Sequence, residues 1–347
     1  MNKAQKLMIW ILVIAFFVFT IGLLKNILLP FVAGILLAYL VDPIVTKLQK
    51  YKLSRTTATT IVSIICTLIF ILALIIVVPL LRDQILKFSS NLPLYTAEFI
   101  KRASEYFPEE IIERFKNFFI DNANEAVKFT IGVIKNIFKQ GIALFNILSL
   151  IFITPVVAFY MLKDFHSFTN QIKALLPVSH RNTIINLLKD MDIMINGFIR
   201  GQSMVCLIIA CYYSITLSLI GFEFGLLLGI FCGFITFIPY VGWSVGFITS
   251  LLLAIASMTS DTDYFKPIAV CVIFAISQLC ESNLLIPMLV GDKVKLHPVW
   301  VIFALLAGGT LFGFVGVLIS LPVAAAVGVL VRFAISVYFK SSLYESK

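Results

Sequence analysis

The sequence is short of charge. Asp, Glu, Lys and Arg make up only 13% of its 347 residues, where a soluble domain carries about 25%. So few charged side chains cannot cover a water-facing surface, which excludes a soluble globular enzyme. Histidine is scarcer still: there are three, and they are not spaced as metal ligands. The six cysteines (Cys66, Cys206, Cys211, Cys232, Cys271, Cys280) lie inside apolar runs and form no C-x-x-C pair. That speaks against a zinc site or a disulfide framework and leaves them as small apolar residues. No cofactor is expected. The run Leu7 to Leu24, preceded by Lys3 and Lys6, lacks a following A-x-A cleavage pattern, so it reads as a retained helix and not a signal peptide. The apolar runs do not alternate with period two, which excludes an outer-membrane barrel.

What is present is apolar. Hydrophobic residues make up 60% of the chain, 32 of them Phe, and the mean hydropathy is +1.03. Disordered chains are poor in such residues. The excess of 27 Lys+Arg over 18 Asp+Glu gives +9, and cations gathered in cytoplasmic loops explain it without a nucleic-acid partner. The composition is that of an integral membrane protein whose first partner is the lipid bilayer.

A helix needs about 20 apolar residues to cross the hydrocarbon core. Candidate spans are 7–24, 27–45, 58–81, 142–162, 202–220, 223–240, 243–259 and 267–289, with a final region 298–335 too long for one helix. Gly308 and Gly309 interrupt that region, which predicts a hairpin of a short helix, 298–307, and a longer one, 311–335. The expected fold is an all-α integral membrane protein of about eight transmembrane helices, with broken or re-entrant hairpins and a small helical extracytoplasmic insertion. The parts are three N-terminal spans in 1–81, an amphipathic insertion in 82–141, a span with cytoplasmic amphipathic helices in 142–201, and a C-terminal bundle in 202–340. Lys47, Lys50, Lys52 and Arg55, with no acid among them, mark 46–55 as cytoplasmic. The N-terminus is then cytoplasmic and 82–141 lies outside, as does the acidic loop Asp261–Asp263. Residues 82–141 mix nine basic with eight acidic side chains, and Pro108-Glu109-Glu110 reads as a helix start. In 178–200, Ile184, Leu188, Met191, Ile195 and Phe198 form one stripe, which predicts a separate helix lying on the membrane or on the protein.

Several motifs bear on chemistry. Gly242-Trp243-Ser244-Val245-Gly246 matches the G-x-S-x-G expression of serine hydrolases, but that expression needs a strand-turn-helix elbow and a histidine partner. Its glycines read better as helix packing, and the chain reads as a non-enzyme. Gly225-x-x-x-Gly229-x-x-x-Gly233 and Gly309-x-x-x-Gly313 give the same packing signal. Span 267–289 holds Gln278, Glu281, Ser282 and Asn283 near and past its midpoint. Gln278 and Glu281, three apart, are expected to share a face, while Asn283 lies well round the helix from Glu281, so the four do not form one stripe. A charged carboxylate at the centre of a span costs about 2.5–3.5 kcal/mol. Glu281 therefore reads either as the lining of a water-accessible path, binding a solute hydroxyl or a proton, or as a neutral acid bonded between helices. Gln278, Glu281 and Asn283 are the candidate solute or ion pathway. Pro239, Gly242, Pro287, Gly308, Gly309 and Pro322 interrupt apolar segments and are the candidate hinges, since non-helical backbone at depth persists only inside protein or beside a cavity. Gly233 to Pro239 and Gly316 to Pro322 share their spacing of glycine and proline, a faint internal echo. Asp42-Pro43 reads as a helix start. Lys163-Asp164 and Arg200-Gly201-Gln202 read as snorkelling and capping groups where spans meet the cytoplasm. His166 and His180 read as loop histidines, and His297 as a residue of a helix start.

Taken together, Phe159-Tyr160-Met161-Leu162-Lys163-Asp164, Arg200-Gly201-Gln202, Ile238-Pro239-Tyr240-Val241-Gly242 and Gln278-x-x-Glu281-x-Asn283 resemble the autoinducer-2 exporter family of bacterial permeases. So do Pro287-x-x-x-Gly291-x-x-x-x-Leu296-His297-Pro298, Gly308-Gly309-x-x-Phe312-Gly313-x-x-Gly316 and Leu321-Pro322-Val323-Ala324. The resemblance implies about eight spans, a polar domain after the third, residence in a bacterial cytoplasmic membrane and an assembly of identical subunits. It implies export of a small polar solute or signal, or sodium (lithium)/proton antiport as in other members. A non-transporting oligomeric scaffold is the alternative of another class. The sequence departs from the family where Trp243 and a residue near Thr249 stand in place of prolines, which implies a straighter helix after Gly242.

Overall fold

The structure, a computed structural model, describes residues 20, 22, 24, 27–104, 108–110, 112–113, 141–178, 181–239, 241–258, 264–291, 297–339 and 344. Most of the expected span 7–24, the insertion from 114 to 140 and the Asp261–Asp263 loop lie outside them. The described elements are all helical: α1 (Leu28–Gln49), α2 (Arg55–Ala103), α3 (Gly141–Leu175), α4 (Arg181–Leu219), α5 (Gly225–Ile235), α6 (Val241–Ala256), α7 (Phe265–Cys280), a π-type segment (Glu281–Val290) and α8 (Pro298–Phe339). Five stretches are long and apolar enough to cross a membrane: Leu28–Gln49, Arg55–Phe88, Arg181–Leu219, Phe265–Val290 and Pro298–Phe339. On α2, Leu68, Ile69, Phe70, Ile71, Leu72, Ile75 and Ile76 are all exposed. A helix apolar on every side suits lipid and not water.

Four expectations change. The stripe 178–200 is not a separate surface helix: α4 runs unbroken for 39 residues, because Gly201 serves as a packing residue and does not break the helix. The third span continues to Ala103, well beyond residue 81. α5 and α6 have 11 and 16 residues, which rise about 16 and 24 Å, short of the ~30 Å hydrocarbon core. Neither therefore crosses alone, as 223–240 and 243–259 were expected to. Asp42-Pro43 lies inside α1 and not at a helix start.

The chain forms two compact units: residues 1–65, 148–200 and 292–347, and residues 66–147 and 201–291. In the first, α1 and α3 meet at Gly34, where a Cβ would come within 2.7 Å of Val157 and 2.9 Å of the Thr154 carbonyl. Ser54 caps α2 by accepting the Thr57 N–H at 3.1 Å. In α8 the chain reverses at Gly313, whose φ of 60° and ψ of −139° favour glycine. Gly308 and Gly316 would stand about 12 Å apart on a straight helix, yet a Cβ on Gly308 would lie 2.5 Å from the Gly316 carbonyl oxygen. α8 is thus the expected hairpin, with its reversal four residues beyond Gly309.

The second unit is held by its small residues. A Cβ on Gly225, Gly229 or Gly233 would collide with Ser218, Ser214 or Ala210 of α4 at 2.2 to 2.7 Å, so the two backbones are in contact along the glycine stripe. Gly246 of α6 packs on Cys232 and Phe274. α2 ties in through Gln84, whose Oε1 accepts the Leu227 N–H at 2.9 Å at the start of α5, and through Tyr95, whose hydroxyl donates to Glu223 at 3.0 Å.

Candidate functional site

The site grows from the inward stripe of α7. Val270, Phe274 and Ser277 are fully buried. Glu281 follows four residues on, its N–H donating to the Ser277 carbonyl, and it is only partly buried. At Glu281 the helix changes type. From there to Val290 the backbone widens into a π-type helix, and the Gly291 N–H donates to the Ile286 carbonyl five residues back. Such segments are rare and concentrate at functional sites. Two side chains bond to backbone carbonyls at this change of register. Ser282 Oγ donates to the Gln278 carbonyl at 2.8 Å, and Asn283 Nδ2 donates to the Leu279 carbonyl at 3.0 Å.

Gln278, Glu281 and Asn283 do not converge. Gln278 and Asn283 are exposed, while Glu281 extends the buried stripe. Residues three apart stand about 60° apart around a helix, and the edge of the buried stripe falls within that angle. Packed against this stripe from α4 is the buried Tyr213. Tyr213 stacks on Phe274 with ring centroids 4.4 Å apart, and its neighbour Tyr212 donates to the Ile273 carbonyl at 3.1 Å. Trp243 donates from Nε1 to the Phe274 carbonyl at 3.1 Å and so fixes α6 to α7.

The interrupting residues fall into three places. Pro239 lies in the turn between α5 and α6, and Gly242 begins α6 with room for no side chain, since a Cβ would lie 2.4 Å from the Thr236 nitrogen. Buried Gln202 donates to the Thr236 carbonyl at 2.8 Å and holds that turn. Pro287 lies within the π-type segment, and Gly201 packs on it, a Cβ there meeting the Leu289 carbonyl oxygen at 2.4 Å. Gly308 and Gly309 stand before the reversal of α8, and Pro322 is buried beyond it. Ser244 lies within the first turn of α6.

Sequence reasoning missed a second polar constellation, in the unit formed by α1, α3, α8 and the ends of α2 and α4. Pro43 has no N–H, so the Tyr39 carbonyl four residues back lacks its helical donor. Arg200 Nε supplies one at 2.9 Å, and its Nη2 lies 3.7 Å from Asp42. Arg55 pairs with the other Asp42 oxygen at 3.1 Å and donates to the Leu162 carbonyl at 2.7 Å. The Tyr39 hydroxyl donates to Asp192 at 3.2 Å. A cavity of about 60 Å³ lies against Tyr39, Asp42, Asp192 and Asn196. The available signal was the proline itself: an interior proline orphans a carbonyl and calls for a donor elsewhere.

The description "AI-2E family transporter" matches residues 7–335. The chain belongs to the AI-2E transporter family. It is similar to a candidate transport protein, YrrI, of Bacillus subtilis (strain 168), 30% identical over 317 residues that cover 88% of this chain and 86% of that one. YueF of the same organism, another candidate transport protein, is 26% identical over 312 residues, 85% of this chain and 80% of the relative. The candidate permease PerM of Escherichia coli (strain K12) is 26% identical over 308 residues, 87% and 86% of the two chains. This AI-2E family chain is therefore a multi-pass membrane transporter of a bacterial permease family, consistent with the inner membrane.

Proposed function

We propose that this AI-2E family transporter moves a small polar solute or ion out of the cell by alternating access, with Glu281 lining the path. The observation that carries this reading is the position of Glu281, a carboxylate on the inward stripe of a spanning helix where that helix widens. An acid there persists against a cost of several kcal/mol, and irregular backbone at depth suits a cavity wall. Gln278 and Asn283, on the exposed side of the same segment, belong to the rim of that path or to a contact with a second copy in a homo-oligomer. The α5–α6 turn at Pro239 and Gly242, the π-type segment at Pro287, and the α8 hairpin at Gly308, Gly309 and Pro322 are the elements that flex. The cations of 46–55 support a cytoplasmic N-terminus.

A flux screen of small polar solutes and of sodium and lithium in proteoliposomes tests this. Wild-type protein is expected to transport one of them, with Glu281→Gln abolishing transport or its pH dependence. Transport unchanged by Glu281→Gln at every pH would remove Glu281 from the path. A sodium or lithium flux that moves protons the other way would select antiport over solute export. No flux of any kind would favour a scaffold.

A further inference from the structure

Buried hydroxyls without partners cost stability, and a fold that keeps them does so for a reason. Beside Glu281 there are two. Tyr213 and Ser277 are each 1% exposed, and neither Tyr213 Oη nor Ser277 Oγ finds a hydrogen-bond partner among the described residues. They face one another, near enough for a weak contact but without hydrogen-bond geometry. Ser277 stands one turn before Glu281 on the same face, joined to it through the backbone bond. The Tyr213 ring is fixed by its stack on Phe274, so its hydroxyl cannot swing away to another partner. Two buried hydroxyls and a partly buried carboxyl one turn on make the polar lining that a bound water needs, with two to four partners.

Resting on the reading of Glu281 as path-lining, we propose that Tyr213 and Ser277 are its positioning residues: their hydroxyls hold a water against the Glu281 carboxyl, and through that water Glu281 exchanges its proton. In the exchange the carboxyl O–H breaks and its proton passes to the water oxygen, leaving carboxylate and hydronium. Uptake is the reverse, and no other reactant is consumed. Among the described residues, the other titratable groups around Tyr213 and Glu281 are Cys206 and Tyr212 on α4, Cys232 on α5, and Cys280 next to Glu281 in sequence. α6 presents no titratable side chain, so it offers no fixed cation to set the proton affinity of Glu281. The hydroxyl-held water sets it by donating to the carboxylate form.

The test is infrared titration of the full chain in lipid, with the carboxyl band of Glu281 identified by its loss in Glu281→Gln. Tyr213→Phe keeps the ring stack and Ser277→Ala keeps the helix, so each removes little beyond the hydroxyl. Each is expected to move the midpoint of the Glu281 band to higher pH by about tenfold in proton affinity, with Ser277→Thr restoring the wild-type midpoint. Thermal unfolding gives a second arm. If the site is dry, both substitutions remove an unsatisfied polar group, so they raise the unfolding temperature and leave the midpoint where it was. A midpoint unchanged in both variants overturns the proposal, whatever the unfolding temperature does. A Glu281 band that does not titrate even in the wild-type protein brings down the path reading as well, which separates the two failures.

Discussion

Replacing Arg200 by Met removes a donor that α1 cannot replace from within. Pro43 leaves the Tyr39 carbonyl without its helical N–H, and Arg200 Nε fills that place at 2.9 Å. A hydrogen bond from a charged donor contributes about 1.5–3 kcal/mol. The companion contact to Asp42, at 3.7 Å between side chains each 36% exposed, adds about 1 kcal/mol at most. Arg200→Met should therefore cost roughly 2–3 kcal/mol, about a 30- to 150-fold shift in the folding equilibrium. Pro43→Ala changes the outcome, because the substituted alanine has an N–H that reaches the Tyr39 carbonyl by the ordinary helical bond. In that background Arg200→Met loses only the ion pair, about 1 kcal/mol or less. The two sites should thus be coupled by about 1–2 kcal/mol. Reversible unfolding in mixed detergent and dodecyl sulfate micelles, applied to the wild type, both single variants and the double variant, reads this directly. Equal costs of Arg200→Met with and without Pro43 would refute the compensation.

Other predictions follow from packing. Gly308→Ala must push against the Gly316 carbonyl at 2.5 Å, whereas Gly309→Ala meets only the Val317 methyl at 3.2 Å. The first should lose about 2–3 kcal/mol and the second less than about 1, measured by the same unfolding cycle. Gly229→Leu places a side chain where the Ser214 backbone lies 2.2 Å from a Cβ. It should cost about 3 kcal/mol or more and appear as aggregate in size-exclusion chromatography. Gln84→Ala removes the cap on the Leu227 N–H. It should cost about 1 kcal/mol and speed hydrogen exchange at that amide.

How much of this was legible depended on whether the cause was local. The spans of α1, α2, α4 and α7, the glycine stripe of α5 and the α8 hairpin follow from apolar length and small-residue spacing, which any short window contains. The interior position of Asp42-Pro43 did not, because Arg200, far away in the chain, makes an interior proline tolerable. The reversal fell at Gly313 and not at Gly308–Gly309 because the latter pair is used for close packing, which sequence cannot distinguish from a turn. Glu281 was legible as a misplaced charge. The widening that begins at Glu281 was not, since five-residue pairing leaves no local pattern. Nor was the separation of Glu281 from Gln278, which depends on where the buried stripe ends, whereas that of Asn283 follows from spacing alone. Tyr213 was hidden as one aromatic among many apolar neighbours.

The most direct measurement is the accessibility of position 281 to water. In a chain whose six native cysteines are replaced, Glu281→Cys is reconstituted in vesicles and exposed to a membrane-impermeant thiol reagent, with Ile273→Cys, on the buried stripe two turns earlier, as the dry reference. Position 281 should label while 273 does not, and a transported solute or ion should change its rate. A cysteine at 281 as unreactive as one at 273, in protein that remains folded, would mean that the carboxylate is sealed between helices and lines no path.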